Sequence, residues 1–245
     1  GYGRLEEIGI PIIECADYME TSALGRAEWM KFYGMLFGKE HEADSLFHVV
    51  DEAYHALKDI YGSEETEKRG SEGAEKRGSV ETEKRGSVGA EKRGSVGARK
   101  RESEKPQLLT EKMTGSTWYV PGGKSSVAQL IADAGGTFAW NDDDHSGSLA
   151  LPFETVLTKA GKSDVWIFND YSSEAMTYEK LLAEYHGYAM FEAFKNHRVW
   201  YVNSLKVPYF EEVSFRPDRL LRDYIILLHP EANMGEPRYY RSLER

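Results

Sequence analysis

An octapeptide repeated four times in the middle of the chain limits the architecture more than any other feature. From Glu67 the sequence reads EKRGSEGA, EKRGSVET, EKRGSVGA and EKRGSVGA. These units offer almost nothing to bury, so stacking them cannot offset the entropy of ordering them. Glycine and serine in every unit also weaken a continuous helix. Residues 62–105, which share this composition, are expected to be a disordered, solvated insertion. They carry 12 Lys and Arg against 10 Asp and Glu, with Glu interleaved among the Lys-Arg pairs, so they form no basic tether for nucleic acid or anionic lipid. The rest of the chain holds 19 basic against 31 acidic residues and is strongly acidic. It has no field to hold a nucleic-acid backbone, and nucleic acid is excluded as a partner.

Outside the repeat the chain reads as globular. Overall hydrophobic content is 40% and aromatic content 12%, enough for a sizeable core. Cys15 stands alone, which excludes an internal disulfide and a multi-cysteine metal cluster. No apolar run approaches a membrane span, and no export signal is visible. The start at Gly1, without Met, suggests a trimmed chain.

Hydrophobic periodicity predicts a short strand over residues 10–15 and a helix over residues 24–37. A long amphipathic helix follows at about 41–61, with its stripe running through Ala43, Leu46, Phe47, Val50, Tyr54 and Leu57. After residue 106, strands expected at 107–113, 137–140, 164–169 and 199–203 alternate with helices at 125–134, 153–160, 177–194 and 217–228. The last helix begins with Pro217 and stops before Pro230. This alternation predicts an α/β fold with a mostly parallel, doubly wound sheet. Ligands of such sheets bind beyond the carboxyl ends of the strands, which nominates loops 114–124, 141–152, 170–176 and 204–215. Tyr171 and Tyr209 lie in the last two of these.

Several motifs invite chemical readings. Gly122, Gly123, Lys124, Ser125 and Ser126 join a strand to a helix, but Trp118 occupies the position where a phosphate loop needs its first glycine. Nucleotide hydrolysis is therefore not expected. The loop's backbone N–H groups and hydroxyls still suit an anionic or polar ligand group. Trp118 and Tyr119 beside it either stack on a flat ligand or pack at a sheet edge. Asp142, Asp144, Ser146 and Gly147 fit a calcium loop in part, but its twelfth position is Phe153, so an acidic surface loop is the favoured reading. His41, His48 and His55 are seven apart on one helix, about 10 Å per step, too far to share a metal. No catalytic motif, resident metal site or cofactor site is read. An α/β enzyme using the 122–126 loop and a protein-interaction module stand as the competing classes.

A family resemblance emerges from YMETSALGRAEWMKFYGMLFGKE at 18–40. It continues through STWYVPGGKSSVAQLIADAGG, LPFETVL, FEAFKNHRVWYVN and RPDRLLRDYIILLHPE. The chain resembles the periplasmic substrate-binding proteins of ABC importers for iron–siderophore, haem and corrinoid ligands. The resemblance covers nearly everything except the octapeptides. It implies two α/β lobes joined by a rigid long helix, with ligand held in the cleft between them and a membrane permease as partner. On that basis residues 1–37 correspond to the remnant of a first lobe, 38–61 to the connecting helix, 62–105 to the insertion and 106–245 to the second lobe. The resemblance further implies a periplasmic location, with a lipid anchor on an N-terminus missing from this chain. It places Tyr18, Glu20 and the Trp118–Ser126 loop at the ligand, and Glu154 at the permease. An acid in the first turn of a helix is favoured there by the helix dipole.

Overall fold

The computed structural model describes residues 3–62 and 105–244, so the octapeptides lie outside the described residues. The chain opens with one turn, α1 (Arg4–Glu7), and two antiparallel-lying helices, α2 (Ala23–Leu36) and α3 (Glu40–Tyr61). Ser22 starts α2 by accepting a hydrogen bond from the backbone of Gly25 at 3.1 Å. The apolar stripe of α3 buries Ala43, Val50 and Tyr54, and the helix packs on α2 and on a C-terminal helix. The Tyr54 hydroxyl donates to fully buried Asp133 at 2.6 Å, and the Lys58 ammonium lies 3.5 Å from the same carboxylate. These contacts fix α3 on the body that follows.

That body begins with β1 (Leu108–Thr110), β2 (Met113–Thr114) and β3 (Thr117–Pro121), then α4 (Ser126–Asp133), β4 (Ser148–Leu151) and α5 (Phe153–Ala160). It continues with β5 (Val165–Asp170), α6 (Tyr178–Glu184), α7 (Glu192–Lys195), β6 (Val199–Asn203), α8 (Tyr209–Val213), α9 (Pro217–Leu228) and β7 (Arg241–Ser242). One sheet has the order β1-β5-β6-β7, its first three strands parallel and β7 antiparallel at the edge. The central strand β5 buries Val165, Trp166, Ile167 and Phe168 in succession, as a parallel strand covered on both faces requires. A second, antiparallel sheet has the order β2-β3-β4. The core between them is aromatic: Trp118 lies 5.6 Å from Trp166 and 5.5 Å from Phe191, centroid to centroid. The parallel-dominated α/β class expected from the sequence is the class observed.

Three local expectations are corrected. Residues 10–15 form no strand, because no neighbouring strand among the described residues takes up their backbone groups; Ile10 and Ile13 are exposed. Residues 137–140 contribute only a single parallel bridge from Thr137 to Gln107. Beyond it the backbone closes turns, Asn141 N–H to Phe138 O and Asp143 N–H to Trp140 O. The strand expected over residues 107–113 divides at Glu111, whose φ of 63° is left-handed and ends β1. The β2-β3-β4 sheet was not anticipated, since its strands are short and their pairing is non-local.

Candidate functional site

A cavity of about 290 Å³ opens at the carboxyl ends of β1, β5 and β6, where ligands of doubly wound sheets bind. Thr110 ends β1 in its wall and Glu111 follows, Phe168 and Asn169 come from β5, and Val202 from β6. The small sheet contributes Tyr119 and Pro121, α4 contributes Ser126, and α2 contributes Arg26. Four aromatic side chains stand in the wall, Tyr209 and Phe210 of α8, Tyr224 of α9 and Tyr240 just before β7, among aliphatic neighbours such as Leu130, Val213 and Leu220.

The polar groups of this cavity are few and unevenly matched. The hydroxyls of Tyr209 and Tyr240 lie 3.3 Å apart. Burial pushes the Tyr209 phenol up to about 12. It also raises Tyr224 and Tyr240 well above their ordinary value, with the nearby Glu111 carboxylate adding to each. Crowding by protein pushes the Glu111 carboxyl up in turn, opposed by the backbone N–H of Asn169. Glu111 lines the cavity and is exposed to solvent as a residue. The Arg26 Nε lies 3.5 Å from the Asp17 carboxylate but is buried without a hydrogen-bond partner.

The aromatic wall on α8 is held from behind by Glu212. Its carboxylate accepts from Arg238 at 2.7 and 2.8 Å. It also accepts from Arg219 at 2.9 Å and from the Tyr239 hydroxyl at 3.0 Å. The paired Arg238 guanidinium is the chief reason its pKa falls to about 2.

Of the residues nominated from sequence, the structure brings Tyr119, Ser126 and Tyr209 together in the cavity. Trp118 is 0% exposed, its indole N–H donates to Thr110 O at 2.9 Å, and its faces are taken by core rings; it packs rather than stacks on a ligand. Gly122 and Gly123 face the 140–147 loop instead: a Cβ on them would lie 2.3 Å from His145 O and 2.2 Å from Asp143 O. Two of the loop's donors are used there, Gly122 N–H on Gly147 O and Lys124 N–H on His145 O, and Ser125 N–H turns back on Gly122 O. Ser125 is the N-cap of α4, accepting from Ala128 N–H at 3.1 Å. Tyr18 and Tyr171 are exposed and line no part of the cavity. Glu20 also lies outside it and accepts from the Trp29 indole at 3.1 Å. Glu154 is exposed in the first turn of α5.

The other motifs resolve into surface chemistry. Asp143 is bound by the backbone and ring of His145, and Asp144 pairs with Lys124 at 2.8 Å. His48 and His55 pair with Glu52 and Asp51 one helical turn away. Among the described residues no group of three or more His, Cys, Asp or Glu is placed to hold a metal ion. No described helix is long and apolar enough to cross a membrane. Sequence reasoning missed Glu111, Asn169, Arg26, Phe210, Tyr224 and Tyr240. The one available signal was an acid directly following the apolar run of β1.

No protein-family model matches the sequence. An uncharacterized lipoprotein of Methanocaldococcus jannaschii is 24% identical over 240 residues, covering 97% of this chain and 47% of that protein. The chain thus spans about half the length of that relative. Among solved structures, a periplasmic heme-binding protein from Pseudomonas aeruginosa superposes with a TM-score of 0.63 at 13% identity, over 99% of this chain and 72% of the other. An ABC-type Fe3+-hydroxamate transport system structure from Saccharomonospora viridis gives 0.59 at 14%, over 92% and 64%. The TroA-like periplasmic binding protein FepB from Veillonella parvula gives 0.59 at 14%, over 99% and 68%. These neighbours are solute-binding transport proteins and not enzymes. With its parallel sheet, its long α3 and a cavity at the strand ends, this chain has the fold of the TroA-like periplasmic solute-binding proteins.

Proposed function

We propose that the chain is the solute-binding component of an ABC importer, capturing an iron–siderophore, haem or corrinoid-type ligand and delivering it to a membrane permease. The observation that carries this reading is the tyrosine-lined cavity at the carboxyl ends of β1, β5 and β6. Its position follows from the sheet topology, and its aromatic wall suits the flat or aromatic surfaces of such chelates. At about 290 Å³ it stands at the lower end of ligand pockets, roughly 300–1,000 Å³, so it takes one arm or edge of a chelate and leaves the rest in the open. The lipoprotein relative supports an extracytoplasmic, lipid-anchored location. Glu154, exposed at the start of α5, is the residue we assign to the permease. The 122–126 loop, with the N–H groups of Gly122, Lys124 and Ser125 bonded within the protein, gives the enzyme alternative no support.

The test is titration of the full chain with haemin, a ferric trihydroxamate and cyanocobalamin, followed by quenching of intrinsic fluorescence. One of the three is expected to saturate at micromolar concentration, and its quenching to weaken in Tyr209→Ala. No saturation by any of them at about 100 μM overturns the reading.

A further inference from the structure

One wall of the cavity is fastened differently from the others. Of the helices that line it, α2, α4 and α9 each bury residues in the core, whereas no residue of α8 is buried. Yet α8 supplies Tyr209, Phe210 and Val213 to the cavity, with Tyr209 and Val213 half-buried and Phe210 exposed. Apart from the Tyr209–Tyr240 hydroxyl contact at 3.3 Å, every side-chain hydrogen bond that α8 makes among the described residues runs through the Glu212 carboxylate. The base that receives this carboxylate is firm. Fully buried Asp223 of α9 accepts from the backbone N–H groups of Arg238 and Tyr239, both at 2.7 Å, and Arg219 stands on α9 itself. The flanks are tied as well: Asn203 O accepts from the N–H groups of Lys206 and Val207 at 3.0 and 3.1 Å, and Arg216 pairs with Asp218 at 2.7 Å. Residues 208–215 thus form a short span between two anchored ends, with one carboxylate as its principal polar tie.

From this arrangement we infer that α8 is the movable wall of the cavity, and that Glu212, which does not line the cavity, is the residue that positions it for ligand. The ligand part of the inference rests on the solute-binding reading, since the same cavity is the site; the motion of α8 does not. Segments with few buried apolar contacts open locally at far lower cost than the core, and ligand-binding lids are drawn from them. The Arg238 and Arg219 side chains are partly exposed, so water can replace them on Glu212 as α8 swings outward. With α8 closed the cavity is about 290 Å³, at the lower end of ligand pockets. An outward swing admits one arm of a chelate, and Tyr209 and Phe210 close on it as Glu212 re-engages its donors. Contacts that the ligand makes with these two rings only in the closed position shift the balance towards that position.

The experiment is fluorine NMR of the full chain, with a trifluoromethyl tag on Glu211→Cys, an exposed position of α8, and the one native thiol removed by Cys15→Ser. Two resonances are expected, a major closed one and a minor open one. Glu212→Gln should raise the open fraction about ten-fold, while the circular dichroism spectrum remains that of the folded chain. If that variant does not fold, Arg219→Gln, which removes a single donor at 2.9 Å, carries the same expectation. Haemin, a ferric trihydroxamate and cyanocobalamin are then added in turn at about 100 μM. A probe that saturates should drive the tag to the closed resonance, and it should dissociate about ten-fold faster from Glu212→Gln. In the double variant with Tyr209→Ala the two losses should fall short of their sum, because both act through α8. A single resonance common to wild type and variant, a bound probe that leaves the open fraction as it was, or additive losses overturn the inference and leave the solute-binding reading standing. No saturation by any probe overturns that reading, and the open and closed resonances then decide the motion of α8 by themselves.

Discussion

Replacing Glu212 by Gln tests whether the aromatic wall of the cavity is held by charge. Four donor contacts, from Arg238, Arg219 and Tyr239, converge on this carboxylate at 2.7–3.0 Å. A carboxyl ordinarily near 4.5 is thereby held at about 2, a displacement that corresponds to roughly 3 kcal/mol. The Arg238 and Arg219 side chains are 47% and 33% exposed, and solvent screening reduces the expected loss to about 1–2 kcal/mol. For a chain of this size that lowers Tm by about 2–8 °C. The folded-state value is the depressed one, so the contribution is complete above pH 4.5 and disappears as pH falls towards 2. Thermal unfolding of wild type and Glu212→Gln, followed by circular dichroism, should show the gap at pH 7, a smaller one near pH 3 and almost none at pH 2. The Tyr209→Ala response to ligand should resemble that of Glu212→Gln in sign, because α8 carries both residues. An unchanged Tm at pH 7, or a gap as wide at pH 2 as at pH 7, refutes the reasoning.

Other perturbations give independent checks. Gly122→Ala would place a Cβ 2.3 Å from the His145 carbonyl oxygen; we expect a loss of about 1–3 kcal/mol in chemical denaturation, whereas Gly147→Ala, which meets nothing within 4 Å, should change stability far less. Tyr54→Phe removes the 2.6 Å donor to buried Asp133 and should cost about 1–3 kcal/mol, with faster amide exchange in α3 than in β5; equal protection of wild type and variant would show that the pair does not anchor the helix. Glu154→Arg reverses an exposed first-turn charge and should alter stability by no more than about 1 kcal/mol while cellular uptake of the ligand falls; uptake at the wild-type rate by a folded, exported variant removes Glu154 from the permease face.

The sequence by itself determined the elements whose signal is local. The 22-residue α3 follows from its apolar stripe, α5 from residues 153–160, β6 from an apolar run bounded by turns, and α9 from Pro217 at its first position. Each of these needs only periodicity, capping or a stop signal, and from their alternation the parallel sheet and the location of its ligand site follow. Tertiary structure decided which side chains face the site. Trp118 and Tyr119 are neighbours in one strand, and the alternation of β3 sends the first into the core and the second to the cavity. Gly122 and Gly123 read as a ligand loop until the 140–147 loop packs against them. Glu111, Asn169 and Tyr240 come from three distant stretches of chain, and only the β1-β5-β6-β7 order brings them to one cavity. A strand at residues 10–15 could not be settled locally for the same reason: a strand's hydrogen bonds belong to its neighbour, whereas a helix makes its own.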